Sequence, residues 1–293
     1  MFKHTDVLSR RGVTLEYKTF TYGGPMTEAA LAGEVDVLFV GDQPAITLIS
    51  RDPKWRIVAR MTNYRSAFLV PPDSPVRGLK DLIGRKVGTA FGSTTHRDAV
   101  RILTEAGLRI GKDVQVVNVD QAEHAALIAK GGKDAWGEVS AIATYDPTIA
   151  VSVSGRRARV LKEWLCPAVV VTNEDMIRQR AQDLQHFLTA YIEAFAIYAR
   201  DPRQFDGLYS EDSRLPLPDK VYRSIAAYEP NLSAKDPTLV NILLDASQQS
   251  LLQRNADVAL KLGIIKRSVQ VRDYVDLQLA RAAAAEIKTK PSR

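Results

Sequence analysis

Along the chain, stretches that alternate apolar and polar residues give way to stretches with apolar residues every three or four positions. Val13-Thr-Leu-Glu-Tyr-Lys-Thr-Phe20 has the two-residue period of a strand. Residues 2–11 before it read as the end of a helix stopped at Gly12, where glycine takes the left-handed closing conformation. Gly23-Gly24-Pro25 opens a short helix that ends at Gly33. Residues 35–40 are a nearly continuous apolar run, as a strand covered on both faces requires. Gly41-Asp42-Gln43-Pro44 then turns into a helix over 44–51, followed by strands over 55–60 and 66–70. Pro71, Pro72, Asp73, Ser74 and Pro75 form the densest group of breakers, a natural linker.

A second series follows: a strand over 86–91, a Gly92-Ser93-Thr94-Thr95 turn, a helix over 95–106 closed by Gly107, a strand over 114–119, a helix over 121–130 closed by Gly131-Gly132, and strands over 139–144 and 159–162. The apolar strand 168–172 can return to the first domain. Ile177, Leu184, Phe187, Leu188, Tyr191, Ile192, Phe195 and Tyr198 then give one long helix, 175–200, an apolar face. Shorter amphipathic segments follow over 219–228, 237–252 and 255–262, before a basic, Ala-rich tail. Alternating strands and helices with short connections imply an α/β protein, with an open, mostly parallel sheet in each domain.

At 293 residues the chain has length for two domains, and 45% hydrophobic with 25% charged residues is ordinary globular composition. No apolar run approaches the ~18–20 residues of a membrane-spanning helix. The start, Met-Phe-Lys-His-Thr-Asp, has neither the basic nor the apolar segment of an export signal. The single Cys166 excludes an internal disulfide, and four unclustered histidines suggest no metal site and no cofactor. A net charge of +6 mildly favours anions but is too diffuse to mark a nucleic-acid partner.

The most informative turn is Phe91-Gly92-Ser93-Thr94-Thr95-His96. A strand end, a glycine and hydroxyl side chains lead into a helix start, whose free N–H groups and dipole receive anions. The competing reading is that Ser93 or Thr94 only caps the helix. His96, in the first turn, suits a neutral ring better than a cation. Gly41-Asp42-Gln43-Pro44 repeats this design in the other domain, with Asp42 either capping its helix or receiving an ammonium group. In open α/β sheets ligands gather beyond the carboxyl ends of strands, so two such turns can face each other. Arg60-Met61-Thr62-Asn63-Tyr64-Arg65 offers an amide, a phenol and two guanidiniums; solvated ion pairs account for the arginines, leaving Asn63 and Tyr64 as site residues. Tyr145, before Asp146-Pro147, either walls a cleft or packs in a turn. Trp164 either lines a cleft or joins the core, and Cys166 reads as a small buried hydrophobe. There is no phosphate loop, G-x-G-x-x-G, G-x-S-x-G or H-E-x-x-H.

Taken together, Gly33-Glu34-Val35-Asp36-Val37, Gly41-x-x-Pro44, Leu79-Lys80-Asp81-Leu82-x-Gly84-Arg85-Lys86-Val87 and Phe91-Gly92-Ser93-Thr94 resemble the periplasmic solute-binding proteins of ABC importers, in the nitrate/sulfonate/taurine branch. Asn173-Glu174-Asp175 before the long helix, and Leu260-x-Leu262-Gly263-Ile264-Ile265 followed by Val269 and Asp273, extend the likeness over nearly the whole chain. The resemblance implies a type II clamshell of two lobes joined by two chain crossings. Lobe one is expected over 1–74 and 168–262, lobe two over 75–167, and 263–293 as a C-terminal extension packing on lobe one. It also implies that Gly41, Asp42 and Gln43, with Asn63 and Tyr64 nearby, face Gly92, Ser93, Thr94 and Thr95 across the cleft, with Tyr145 and Trp164 as aromatic walls. The implied protein is a periplasmic monomer, not an enzyme, that passes a small anion to a membrane permease and ATPase. A sulfonate or taurine fits the aromatic and Met side chains near the turns better than nitrate does. Two departures stand out: the family's first strand and ligand-contacting loop have no counterpart before residue 2, and Ser140 stands where the pattern places aspartate. Other readings of the same scaffold are a desulfinase or thiamine-pyrimidine enzyme and, last, the effector half of a LysR-type regulator.

Overall fold

Two long strands carry the architecture. The computed structural model describes residues 1–213 and 217–289. Its strands are β1 (Val37–Gly41), β2 (Trp55–Val70), β3 (Lys86–Thr89), β4 (Gln115–Asn118), β5 (Ala141–Tyr145) and β6 (Arg159–Asn173). Helices α1 (Gly23–Leu31), α2 (Asp42–Arg51), α3 (Thr94–Glu105), α4 (Gln121–Lys130) and α5 (Thr148–Ser154) flank them. After β6 come α6 (Glu174–Gln179), α7 (Ala181–Arg200), α8 (Pro202–Ser213), α9 (Asp219–Ala226), α10 (Ala246–Lys261) and α11 (Gln278–Thr289).

The described strands form one open six-stranded sheet in the order β1-β6-β2-β5-β3-β4. Pairing is parallel only for β3 with β4 and β5, while β1–β6, β2–β6 and β2–β5 are antiparallel. The sheet is therefore mixed α/β and continuous through both halves, where a separate, mostly parallel sheet in each was expected.

The four short strands expected over 55–60, 66–70, 159–162 and 168–172 are in fact two. β2 and β6 pair from Trp55↔Asn173 to Val70↔Arg159, with register shifts after Ile57, Arg60 and Phe68. The polar run 60–66 stays extended because its backbone is held by β6 on the ladder side, whatever its side chains face. Alternate residues of these strands enter different cores. Val169 and Val171 pack with α2 and α10 on one face, while Val170 packs with α7 and α11 on the other. Farther along, Phe68 and Val70 meet α3, and Ala67 and Leu69 meet Ile128 of α4 and Ile149 of α5.

Several local expectations are corrected. Residues 13–20 join no ladder: alternation supplies a strand's faces but not its partner. Residues 2–11 form two short 3-10 turns, Phe2–His4 and Ser9–Arg11, the second closed by Gly12 at φ 69°. The expected helix 175–200 breaks at Arg180, whose φ of −130° and ψ of 35° separate α6 from α7. The segments 237–252 and 255–262 become a 3-10 turn at Pro237–Leu239 and, from Ala246, the continuous α10, opened by a capping box in which Asp245 and Gln248 exchange hydrogen bonds. Ile265, Val269, Val271 and Leu277 pack against α2 and α10, and α11 lies on α7. Among the described residues no helix is long and apolar enough to cross a membrane.

Candidate functional site

The two glycine-led turns meet. Gly41 ends β1 and leads into α2; Gly92, at φ 80°, leads into α3, whose N-cap Ser93 accepts the His96 N–H at 3.0 Å. Across the seam between the halves, the Gln43 N–H donates to Thr94 Oγ1 at 3.1 Å, and the Thr94 hydroxyl donates to Asp42 Oδ1 at 2.9 Å. A Cβ added to Gly41 would lie 2.6 Å from Thr94 Oγ1 and 2.9 Å from the Tyr64 hydroxyl, so only glycine allows this approach. Helix N-termini from both halves therefore converge, with the Gln43 N–H of one taken by Thr94 and the His96 N–H of the other by its cap Ser93.

Behind this contact lies a buried ionic cluster. Asp42 Oδ2 accepts from Arg97 Nη1 at 2.7 Å and from Asn255 Nδ2 at 2.6 Å, and both Asp42 and Arg97 have no solvent exposure. Arg97 also donates to Asp98 Oδ1 through Nε at 3.1 Å and Nη2 at 3.0 Å. Burial alone would lower the guanidinium pKa, but Asp42 and then Asp98 outweigh it and raise it. Breaking such a pair leaves an uncompensated buried charge, which costs on the order of 3–5 kcal/mol. The Thr95 hydroxyl lies 2.8 Å from that of Ser66, which in turn accepts from Cys166 Sγ at 3.3 Å.

Toward solvent the seam is lined by half-buried Tyr64, Tyr145 and His96 and by exposed Phe91. Tyr64 and Tyr145 meet edge to face at 5.7 Å, and the Tyr145 hydroxyl donates to the Thr21 carbonyl at 3.3 Å. Burial raises the pKa of both phenols, so both remain hydroxyl donors. Phe91 stacks on His96 at 4.4 Å, and burial lowers that imidazole to about 4, so the ring is neutral, as its place in the first turn suggested. A Cβ on Gly92 would lie 4.0 Å from Gly24 Cα, which brings the start of α1 to the same mouth.

The structure thus gathers Gly41, Asp42, Gln43, Tyr64, Gly92, Ser93, Thr94, Thr95 and Tyr145. Asn63 sits beside them on β2, its N–H donating to Glu229 Oε2 at 3.0 Å. Trp164 stands apart, 5.2 Å from Phe68 at the edge of the α3 core. Arg60 and Arg65 are not solvated: Arg60 pairs with buried Glu229 through both Nη atoms, and Arg65 holds Asp146 with two bonds of 3.0 Å. Neither Arg97 nor Asn255 was singled out from the sequence. Arg97 carries a weak signal, three residues after Thr94 and so on the same helix face; Asn255, more than 200 residues from Asp42, carries none. No group of three or more His, Cys, Asp or Glu side chains able to hold a metal ion occurs among the described residues.

The profile of a family described as ABC transporter, phosphonate, periplasmic substrate-binding protein matches residues 5–203. The chain belongs to this family. It is 26% identical over 267 residues to the putative aliphatic sulfonates-binding protein of Escherichia coli (strain K12), covering 89% of this chain and 79% of that protein. The taurine-binding periplasmic protein of the same organism is 23% identical over 201 residues, covering 65% of this chain and 59% of that protein. The alkanesulfonate-binding protein SsuA from Xanthomonas axonopodis pv. citri, bound to MOPS, superposes with a TM-score of 0.77 at 20% identity, covering 94% of this chain and 92% of that one. The fold is that of periplasmic binding proteins, and the chain is a substrate-binding protein rather than an enzyme. A nucleophile would also be badly served here: Cys166 is fully buried, and burial pushes its thiol pKa up, away from the reactive thiolate.

Proposed function

We propose that this substrate-binding protein takes a small organic oxyanion of the sulfonate or phosphonate class between its lobes, as a periplasmic monomer that delivers it to a membrane permease and ATPase. The observation that carries this reading is the meeting of two helix starts across the seam, marked by the 3.1 Å bond from the Gln43 N–H to Thr94 Oγ1. The lobe division proposed is 1–74 with 168–262 for lobe one and 75–167 for lobe two, with β2 and β6 as the crossings and residues 263–289 laid against lobe one; α9 of lobe one packs on α5 of lobe two.

In this reading the oxyanion head takes the place between Gly41 and Gly92 that the Thr94 side chain fills in this structure, over first-turn N–H groups of α2 and α3 freed as the lobes part. The hydroxyls of Ser93, Thr94, Thr95, Tyr64 and Tyr145 and the amide of Gln43 add donors once they leave their partners in this structure, among them Asp42 for Thr94, the Ala90 carbonyl for Ser93 and the Thr21 carbonyl for Tyr145, and Asn63 flanks them. The tyrosine rings cover the organic part, which favours an organic anion over nitrate. Asp42 belongs to the seam, its charge met by Arg97, and Trp164 belongs to the core.

Calorimetric titration with methanesulfonate and methylphosphonate tests the site and separates the two anion classes. The double substitution Ser93→Ala, Thr94→Ala is expected to weaken binding of the preferred anion more than ~10-fold, since a hydrogen bond to a charged group contributes about 1.5–3 kcal/mol. Unchanged affinity in a folded double variant overturns the assignment.

A further inference from the structure

We propose that the seat between α2 and α3 reads charge: it takes an oxyanion head that carries one negative charge and refuses the same head once it carries two. The inference rests on the reading that the starts of these helices form an anion seat, and it concerns which ionisation state that seat accepts.

The cations around the seat are already answered by carboxylates of the protein. Arg60 is held by Glu229, and Arg65 by Asp146 through Nε and Nη2. Arg97 is shared by Asp42 and Asp98, and Arg101 joins Asp98 at 3.5 Å, so two guanidiniums face two carboxylates. What remains for a solute is the pair of helix starts, each equivalent to roughly half a positive charge. Together they match about one negative charge. A second charge on the head has no counterpart, and it lies close to Asp42, fully buried in the first turn of α2. Asp120 works in the same direction at the mouth. It caps α4 through the Ala122 N–H, makes no ion pair among the described residues, and its charge reaches both Tyr145 and Tyr22.

The protons fit the same limit. A sulfonate is singly charged with no proton to place. A phosphonate is singly charged only while one oxygen keeps its proton, and that O–H needs an acceptor. Gln43 Oε1, at the start of α2, is a buried acceptor with no hydrogen-bond partner among the described residues. No imidazole, phenol or thiol around the seat changes charge near neutral pH. Burial lowers His96 to about 4 and raises Tyr22, Tyr64, Tyr145 and Cys166 above their ordinary values. Any pH dependence of binding therefore belongs to the solute.

Calorimetric titration of the full chain between pH 6 and pH 9 tests this. Methanesulfonate, singly charged throughout, is expected to bind with one affinity. Methylphosphonate is expected to bind best at the acid end and to lose about tenfold per pH unit above its second ionisation. Asp98→Asn removes one carboxylate and keeps an acceptor for Arg97, so the uncovered guanidinium charge is expected to flatten that loss. If Asp98→Asn does not fold, the wild-type profiles alone decide. A methylphosphonate affinity that stays level or rises through the ionisation overturns the proposal, as does a methanesulfonate affinity that follows pH. Binding of methanesulfonate with none of methylphosphonate at pH 6 overturns it too, because head-group chemistry rather than charge then decides. Those outcomes leave the seat itself in place. Absence of binding by both anions at every pH removes the functional reading, and this one with it.

Discussion

His124 shows how far a residue's surroundings depart from what its place in the chain suggests. It lies on the inner face of α4, fully buried, with Nδ1 2.9 Å from the Thr144 hydroxyl and Nε2 3.2 Å from the Val119 carbonyl. Burial lowers its pKa from 6.5 to about 4, outweighing the Val119 carbonyl and Asp120. Between these values the unfolded chain holds a proton that the folded chain does not, so stability falls as pH falls through this window. Urea unfolding at pH 7 and pH 5 is expected to show a difference about 2 kcal/mol smaller in His124→Gln than in wild type. An unchanged difference would place the acid sensitivity elsewhere, with His96 the next group to test. The sequence shows a histidine on an amphipathic helix but not the carbonyl and hydroxyl waiting for it. Ser93, by contrast, is legible, because a cap is fixed by residues within one turn of itself. Asp42 lies between: its position at a helix start is local, but its main partners come from α3 and α10.

Among the elements, those whose signals are local were the readable ones. α2, α3 and α4 begin where a polar turn follows a strand, and glycine closes α4 at Gly131. The unity of β2 and β6 was not readable, since Arg60–Arg65 has the composition of a turn and the partner strand is about 100 residues away. The same distance hides the absence of a ladder at 13–20. Ala67 tests the continuous strand: it pairs with Thr144 of β5 and Glu163 of β6 and has no exposure. Proline there removes a donor and clashes with a neighbouring strand, a loss of about 3 kcal/mol or more. Ala67→Pro is expected to give little soluble protein, or a markedly lower thermal midpoint, while proline at exposed Asp73 in the breaker cluster is expected to be tolerated. Equal behaviour of the two would count against a single sheet.

For the molecule as a whole, the fold class and the meeting of two polar turns follow from the order of elements, whereas the ionic cluster behind that meeting depends on side chains packed from three helices. The two halves have their own apolar clusters against the sheet, are joined by a fifth cluster between α5 and α9, and share β2 and β6, which run through all four of the clusters lining the sheet. Neither half can unfold without stripping the ladder of the other. Scanning calorimetry is accordingly expected to give one heat-absorption peak with matching calorimetric and van't Hoff enthalpies; two resolved peaks would mean that the halves melt independently.

The paired crossings also limit the kind of motion available. Loop connections would let the lobes swing about a pivot, but a ribbon hydrogen-bonded along its length deforms like a leaf spring, by twist and shallow flexure spread over many residues. Its softest points are the register shifts after Ile57, Arg60 and Phe68. Bending on such a spring is shared among many residues, so no single backbone dihedral sets how far the halves part.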